Sequence, residues 1–463
     1  WHFPVEFSIH DSSVLYAAAN VLFRSDDLGQ SWSAISPDLT RNDQSRMGPS
    51  GGPITKDNTS VEYYGTIFAL AQSPHDEGVL WAGSDDGRVH VTRNGGENWD
   101  DVTPRGLPAW AQINGIEADP FEPGGAYIAA TRYKSDDFQP LIYRTKNWGQ
   151  SWTKITNGIP NNHFTRAVRA DRDRKGLLYA GTEYGVYFSI NDGRTWQPLQ
   201  LNLPIVPITD LAVKDTDLIA ATQGRGYWIL DDLNVLQQFQ ENQSEELVFY
   251  EPGPVYRLVA GSRSTDEPIS AGTNPYDGVV FYYELPNELP DDVNLELSVF
   301  DSDGDSEEPI WSWSRKPAND SEGEEADPTG VPDTRVLPAK VGLNRHVWDL
   351  KYPAMERFDG IILWRDFNYG PTAKPGDYRA RLTLGAESQD VSFKVLQDPR
   401  SNASGADLQA QFNFVIESRD LLTRAHQEIR SIRKLREQTS AVKNRIESKG
   451  GNEDLVSAIE ELN

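Results

Sequence analysis

One eight-residue pattern, present four times, constrains this chain more than any other feature. Ser25 to Trp32, Thr92 to Trp99, Thr145 to Trp152 and Ser189 to Trp196 all read (Ser/Thr)-x-(Asp/Asn)-x-Gly-x-(Ser/Thr/Asn)-Trp. One copy would mean little; four at similar spacing mark a repeat architecture. The chemistry is that of a turn. Asp27, Asn94, Asn147 and Asn191 cap their own backbone, and Gly29, Gly96, Gly149 and Gly193 supply a positive φ. Trp32, Trp99, Trp152 and Trp196 tuck beneath the turn as apolar plugs. These twelve residues read as scaffold, not as catalytic groups or calcium ligands.

Upstream of each copy lies a short apolar run ending in small residues: Val14 to Ala18, Val79 to Gly83, Ala126 to Ala130 and Leu177 to Gly181. A fifth run, Leu218 to Thr222, continues into Gly224 to Leu230 without the turn pattern. A run, a turn and an outer strand describe one blade of a β-propeller. The patterns begin at residues 25, 92, 145 and 189, which are 67, 53 and 44 residues apart. The longer first interval holds an insertion from about Pro37 to Tyr64. Five blades without a closing strand imply an incomplete ring, since a closed ring leaves no exposed edge. The expectation is therefore the C-terminal half of a larger propeller, completed by an N-terminal part of the same precursor or by a larger complex.

Composition narrows the function classes. The 463 residues carry 44 Lys and Arg against 70 Asp and Glu, a formal charge of −26. Such a charge repels phosphate backbones and argues against a nucleic-acid partner. With no cysteine, thiol chemistry and disulfides are excluded. No apolar stretch is long enough for a membrane span. No signal peptide is legible, so a leader removed earlier or a longer precursor is expected. His-x-x-x-His spacing, a Gly-x-Ser-x-Gly elbow, a P-loop and the Arg-Ile-Pro signature of sialidases are all absent.

The repeats, the insertion Ser50 to Thr59 and the segment Ala221 to Asp232 together resemble the bacterial secreted proteins with sortilin-type (VPS10-like) Asp-box, or BNR, repeats. Members are often labelled glycosyl hydrolases. The resemblance runs along nearly the whole chain. It implies an extracytoplasmic location (periplasmic, cell-surface or secreted) and a propeller of more blades than this chain supplies.

The domain plan expected is mainly β. Blades occupy 1–237, a linker 238–270, an Ig-like β-sandwich 271–400 and a helical hairpin or coiled segment 401–463. Val293 to Phe300 alternates cleanly, as a half-buried strand does. The pairing of the segments 342–350 and 375–384 resembles an Ig-like module of FlgD type. Beyond the linker-like Ser401 to Ala406, Leu408, Val415, Leu422 and Ile429 fall seven apart, with Ala425 and Ile432 on the second seam position. That helix either packs on its own protein or binds a partner. The acidic run Asp301 to Glu308 has the carboxylate density of a calcium loop but lacks its glycine and its last ligand. A charged turn and a calcium site both remain open there; no other cofactor is implied.

Candidate function rests on loops. The insertion places Lys56, Asp57, Glu62, Tyr63 and Tyr64 on a propeller-face loop, where binding residues concentrate on rigid scaffolds. His163 and Arg166 precede the fourth run, and Arg225 lies in the fifth. If strand starts line a central channel, Arg166 faces it; alternatively Arg166 and Arg225 form blade-to-blade ion pairs while Tyr227 and Trp228 fill core. The reading that follows is a binding or assembly protein that takes a peptide, protein or glycan on a propeller face. The alternatives are a glycoside hydrolase of BNR or sialidase type, which needs two carboxyls about 5–10 Å apart, and a structural subunit of a cell-envelope complex.

Overall fold

A computed structural model describes residues 3–57, 63–240, 246–258, 272, 274–302, 308–315, 336–362 and 369–462. Contacts divide the chain into two units, 1–241 and 242–463.

The first unit is a run of antiparallel blades. β1 (Val5–Phe7), β2 (Leu15–Ala18), β3 (Leu22–Ser25) and β4 (Ser33–Ala34) pair in that order as blade 1. The insertion forms a small exposed hairpin, β5 (Ser50–Gly51) with β6 (Lys56–Asp57). Blade 2 comprises β7 (Ile67–Gln72), β8 (Leu80–Ser84), β9 (Val89–Thr92) and β10 (Asp100–Asp101). Blade 3 follows with β11 (Gln112–Ala118), β12 (Ala126–Arg132), β13 (Asp137–Thr145) and β14 (Thr153–Lys154). Blade 4 holds β15 (Thr165–Ala170), β16 (Leu178–Thr182), β17 (Gly185–Ser189) and β18 (Gln197–Pro198). Blade 5 has three strands, β19 (Ile208–Lys214), β20 (Asp217–Thr222) and β21 (Tyr227–Leu230), followed by the short α1 (Asn234–Gln238).

The blades are joined by cores between neighbours. Leu70, Leu80 and Ala82 of blade 2 pack on Tyr16 and Leu22 of blade 1. Val79 and Trp81 turn the other way, onto Ile113 and Ile128 of blade 3. Alternate residues of one second strand therefore bury on opposite neighbours, which is why these strands are apolar throughout and do not alternate. Blades 3 and 4 meet through Tyr127, Ile142, Val168 and Leu178, and blades 4 and 5 through Tyr179, Val186, Ile208 and Leu218. Among the described residues no strand of blade 1 pairs with one of blade 5, and no hydrophobic cluster contains both.

The second unit buries one core between two sheets. The three-stranded sheet orders β22 (Val248–Phe249), β24 (Val279–Leu285) and β27 (Gly342–Trp348). The five-stranded sheet orders β23 (Val255–Arg257), β29 (Glu387–Gln397), β28 (Gly376–Leu384), β25 (Leu295–Asp301) and β26 (Trp311–Ser314). Phe281 and Trp348 from one sheet meet Leu297, Tyr378 and Phe393 from the other.

Three expectations need correction here. The segment 238–270, read as linker, supplies β22 and β23; strands of two or three residues are too short to show a period. The segments 342–350 and 375–384 do not pair: β27 bonds to β24, and β28 to β25 and β29. They meet instead through side chains across the core, where the Trp348 and Tyr378 rings lie 5.6 Å apart.

The third concerns α2 (Gly405–Glu447), which is followed by α3 (Glu453–Leu462). α2 begins with a capping box, in which Asp407 N–H donates to Ser404 Oγ and Ser404 N–H to Asp407 Oδ2. Its inward stripe follows the seven-residue seam only at the half-buried Leu408 and Ile429. Phe412 packs on Tyr352 at 5.0 Å, and buried His426 bonds the Glu356 carbonyl through Nδ1 at 2.6 Å. Val415, Leu422 and Ile432 remain 40%, 45% and 56% exposed. Polar anchors to 353–359 select the face, and hydrophobic spacing does not report them.

Candidate functional site

Antiparallel order sorts the loops of the first unit to two ends. The turns between first and second strands and the four repeated turns share one end. The turns between second and third strands, and the connections from one blade to the next, share the other.

At the first end, the repeated turns are closed by their own side chains. Ser25 Oγ donates to Asp27 Oδ1 (2.8 Å) and accepts the Gly29 N–H (2.8 Å), while Asp27 Oδ1 accepts the Ser31 N–H (2.8 Å). Asn94, Asn147 and Asn191 repeat that acceptance at 3.0, 3.0 and 2.9 Å. The bonds from both serines hold the Asp27 carboxyl down at about 2. All four glycines have positive φ, 76–100°. The tryptophans do more than plug. Trp99, Trp152 and Trp196 donate their indole N–H to a carbonyl of the preceding blade. Trp32, expected as a plug, is 41% exposed and among the described residues bonds its own turn, at Gly29 O.

A cavity of about 370 Å³ opens at this end between blades 3 and 4, lined by Tyr127, Arg144, Lys175, Asp192 and Arg194 among others. Its cations are engaged. Arg144 and Lys146 pair with Asp192 at 2.6 and 2.8 Å, and Lys175 pairs with Glu122. Tyr127 donates to Asp192 at 2.7 Å, and burial raises its phenol. The arrangement is a polar joint between blades.

The opposite end carries aromatic and cationic groups on several successive loops. Tyr64 meets Trp110 at 5.2 Å, and the guanidiniums of Arg41 and Arg46 lie 5.3 and 5.6 Å from the same indole. Arg41 is fixed by Asp86, whose Oδ2 accepts its backbone N–H at 2.8 Å and whose carbonyl accepts its Nε–H. Trp110 holds φ +64°, a conformation rare for a bulky residue and often found at functional sites. Next along, Tyr133 stacks on Phe164 at 5.0 Å, with Arg166 lying 5.4 and 5.1 Å from the two rings. Arg166 pairs with Glu183 through both Nε and Nη2, at 3.0 and 2.7 Å. His163 stacks under Tyr184 at 4.3 Å and shares a hydrogen bond with Tyr187 through Nδ1 at 2.9 Å. Burial lowers the His163 pKa, so the ring is neutral at pH 7. Tyr184 is 41% and Phe138 47% exposed.

The inner strands add a mixed cluster. Arg169 donates to Asp210 at 2.6 Å and stands 3.9 Å from Glu117. Burial raises the carboxyls of Glu117 and Glu6, and Gln72 and Arg169 partly offset the effect at Glu6.

Of the residues named from sequence, Tyr63, Tyr64, His163, Arg166 and Arg225 all fall at this second end. Lys56 is exposed on the β5–β6 hairpin, with Asp57 beside it in β6. Glu62 lies outside the described residues. Arg166 forms its ion pair inside blade 4, not between blades. Arg225 is exposed in the β20–β21 turn, and Tyr227, read as core, is 79% exposed. Trp110, Tyr133, Phe138, Phe164 and Tyr184 were missed. The signal that finds them is topological: Trp110, Tyr133, Phe164 and Tyr184 each sit in a second-to-third-strand turn or a blade-to-blade connection, and Phe138 is the second residue of the strand that follows one.

Among the described residues no group of three His, Asp or Glu is arranged to hold a metal ion. Of the acidic run read as a calcium loop or charged turn, Asp303 to Glu307 lie outside the described residues. Asp301, just before them, accepts from Tyr352 OH at 3.3 Å and lies 3.8 Å from Lys374.

The sequence matches no protein-family model. It matches no curated protein. Solved structures similar to it include a GH74 xyloglucanase from Xanthomonas campestris, 18% identical, covering 52% of this chain and 37% of that one, with a TM-score of 0.39. YCF48 from Cyanidioschyzon merolae is 17% identical, over 36% and 53%, at 0.28. The Cps50 (Swd1) β-propeller domain of Myceliophteria thermophila is 15% identical, over 49% and 64%, at 0.33. This chain spans less than two thirds of each.

Proposed function

We propose that this chain is an extracytoplasmic binding or assembly protein that takes a peptide, protein or glycan on the blade end opposite the repeated turns. The observation that supports it most is the exposed Tyr184 ring stacked on a neutral, hydrogen-bonded His163, beside the Arg166–Glu183 pair. Aromatic faces held at fixed geometry bind apolar or sugar surfaces with little ordering cost. We place the repeated turns with the Asp-box repeats of sortilin-type proteins, and the two-sheet unit with Ig-like modules, as a support downstream of the binding unit.

Glycan and peptide arrays probed with the protein test this reading. A ligand whose affinity falls about tenfold or more in Tyr184→Ala, with the melting temperature unchanged, supports it. Binding indifferent to Tyr184, Phe138 and Trp110 substitutions sinks it.

A second reading, a hydrolase, is favoured by the direction in which burial moves the Glu117 and Glu6 carboxyls, upward as in a general acid. Hydrolysis of an array glycan that disappears in Glu117→Gln would establish it.

A further inference from the structure

We propose that the cavity between blades 3 and 4 is a binding site for a sulfate or phosphate group, free or borne on a small molecule. It lies at the end opposite the proposed ligand face and does not rest on that reading.

The cavity follows from a change at one position of the repeated turn. The fourth residue of the pattern is Trp148 in blade 3 and Asp192 in blade 4. Both have left-handed backbones, with φ 59° and 61°. Both donate their N–H to a glycine carbonyl between the first and second strands, Gly124 at 2.9 Å and Gly176 at 2.8 Å. Between blades 2 and 3 the indole fills the joint. Arg93 of blade 2 lies 5.8 Å from the Trp148 ring, and a Cβ on Gly124 would sit 3.0 Å from it. Between blades 3 and 4 the smaller aspartate leaves the space open. Nothing comes closer to a Cβ on Gly176 than the Asp192 N, at 3.4 Å. Lys146, at the turn position of Arg93, faces this space instead of a ring. The opening measures about 370 Å³. Small-molecule sites run from about 300 to 1,000 Å³.

The walls are positive in a chain of formal charge −26. Four cations line the cavity against two carboxyls, Asp119 and Asp192. The ion pairs leave donors over. Lys146 gives one contact to Asp192, and Lys175 one to Glu122. An ammonium has three N–H groups, so both lysines can bond an anion as well. Arg194 donates through Nε to the Asn191 carbonyl at 3.2 Å, and among the described residues no carboxylate pairs with it. These three cations come from three separate turns. Donors that arrive from several directions suit a tetrahedral oxyanion better than a planar carboxylate. Asp119 accepts from Tyr127 O–H at 3.1 Å and from the Phe121 N–H at 2.9 Å. Asp192 is therefore the carboxyl that competes with an incoming anion, and Arg144 and Lys146 both offset it, at 2.6 and 2.8 Å.

Isothermal titration calorimetry of the full chain, at constant ionic strength in chloride, tests the site with inorganic sulfate, inorganic phosphate, glucose phosphate and glucose. Saturable binding of at least one anion is expected, and none of glucose. Arg194→Gln weakens it about tenfold, the loss of one charge-assisted hydrogen bond. Lys175→Gln acts in the same direction. Asp192→Asn keeps the side-chain shape but removes the competing charge, and tightens binding about threefold or more. A joint with a merely structural role gains no affinity from that change. Arg194 and Lys175 are exposed, so their variants keep the fold, as melting temperatures in chloride verify. Inorganic anions that bind as tightly as the ester mark the free ion as the occupant, and a tighter ester marks a borne group; either result supports the proposal. Anion binding absent from both the unaltered chain and Asp192→Asn overturns it. Binding that Arg194→Gln and Lys175→Gln leave unchanged overturns it as well.

Discussion

Replacing each turn glycine by alanine separates backbone strain from blade packing. All four glycines share a positive φ, so every substitution pays the left-handed penalty of about 1 kcal/mol. Gly29→Ala stops there, since its new Cβ meets nothing closer than 3.6 Å. Gly149→Ala drives a methyl to 2.5 Å from Val102 Cβ, and Gly96→Ala to 2.4 Å from the carbonyl that Trp99 needs. Overpacking of this kind adds about 1–3 kcal/mol. Gly193→Ala meets the mobile end of Ile155 first and falls between. At about 2–4 °C per kcal/mol for a unit of this size, Gly29→Ala lowers the melting temperature by about 2–4 °C. Gly96→Ala and Gly149→Ala lower it by about 4–16 °C. Differential scanning calorimetry of the four variants measures the series. If Gly29→Ala costs as much as Gly149→Ala, the assignment of these glycines to blade contacts is wrong.

Three further outcomes follow. Trp196→Phe removes the donor to the Ile155 carbonyl and destabilises by about 1–3 kcal/mol, while Trp32→Phe stays within about 0.5 kcal/mol, by urea titration. Burial lowers the His346 pKa from 6.5 to about 4, so between those values the unfolded chain takes a proton that the fold refuses. The second unit is therefore at full strength above pH 6.5 and loses up to about 3 kcal/mol as pH falls to 4. His346→Leu flattens that slope in urea titrations at pH 4.5 and 7. Asp27, by contrast, keeps its charge down to about pH 2, so its contribution to the first turn is present above pH 4 and lost only as pH falls through 2; ¹³C carboxyl shifts record the midpoint.

The repeated turns were legible in sequence because the side-chain bonds that close them lie within the eight-residue motif. Serine, aspartate or asparagine, and glycine interact inside the motif itself. The tryptophan role was only half legible. Its acceptor sits 41–64 residues away on a neighbouring blade, and no local pattern reports a partner at that distance. The aromatic and cationic groups at the opposite end were partly legible for the same reason. His163, Arg166 and Tyr64 stood out by residue type, but Trp110, Tyr133 and Tyr184 join them only once strand order places their turns at one end. The helix shows the limit of periodicity. Its length and breaks were plain, while the stripe that packs is chosen by His426 reaching the Glu356 carbonyl, a contact with no hydrophobic period.

Hydrogen–deuterium exchange of the protein with and without its array-identified ligand tests the two-ended account most directly. The account predicts ligand protection in the turns around Trp110, Tyr133, His163 and Tyr184, with the turns 145–152 and 189–196 unchanged. Protection confined to those repeated turns would contradict it.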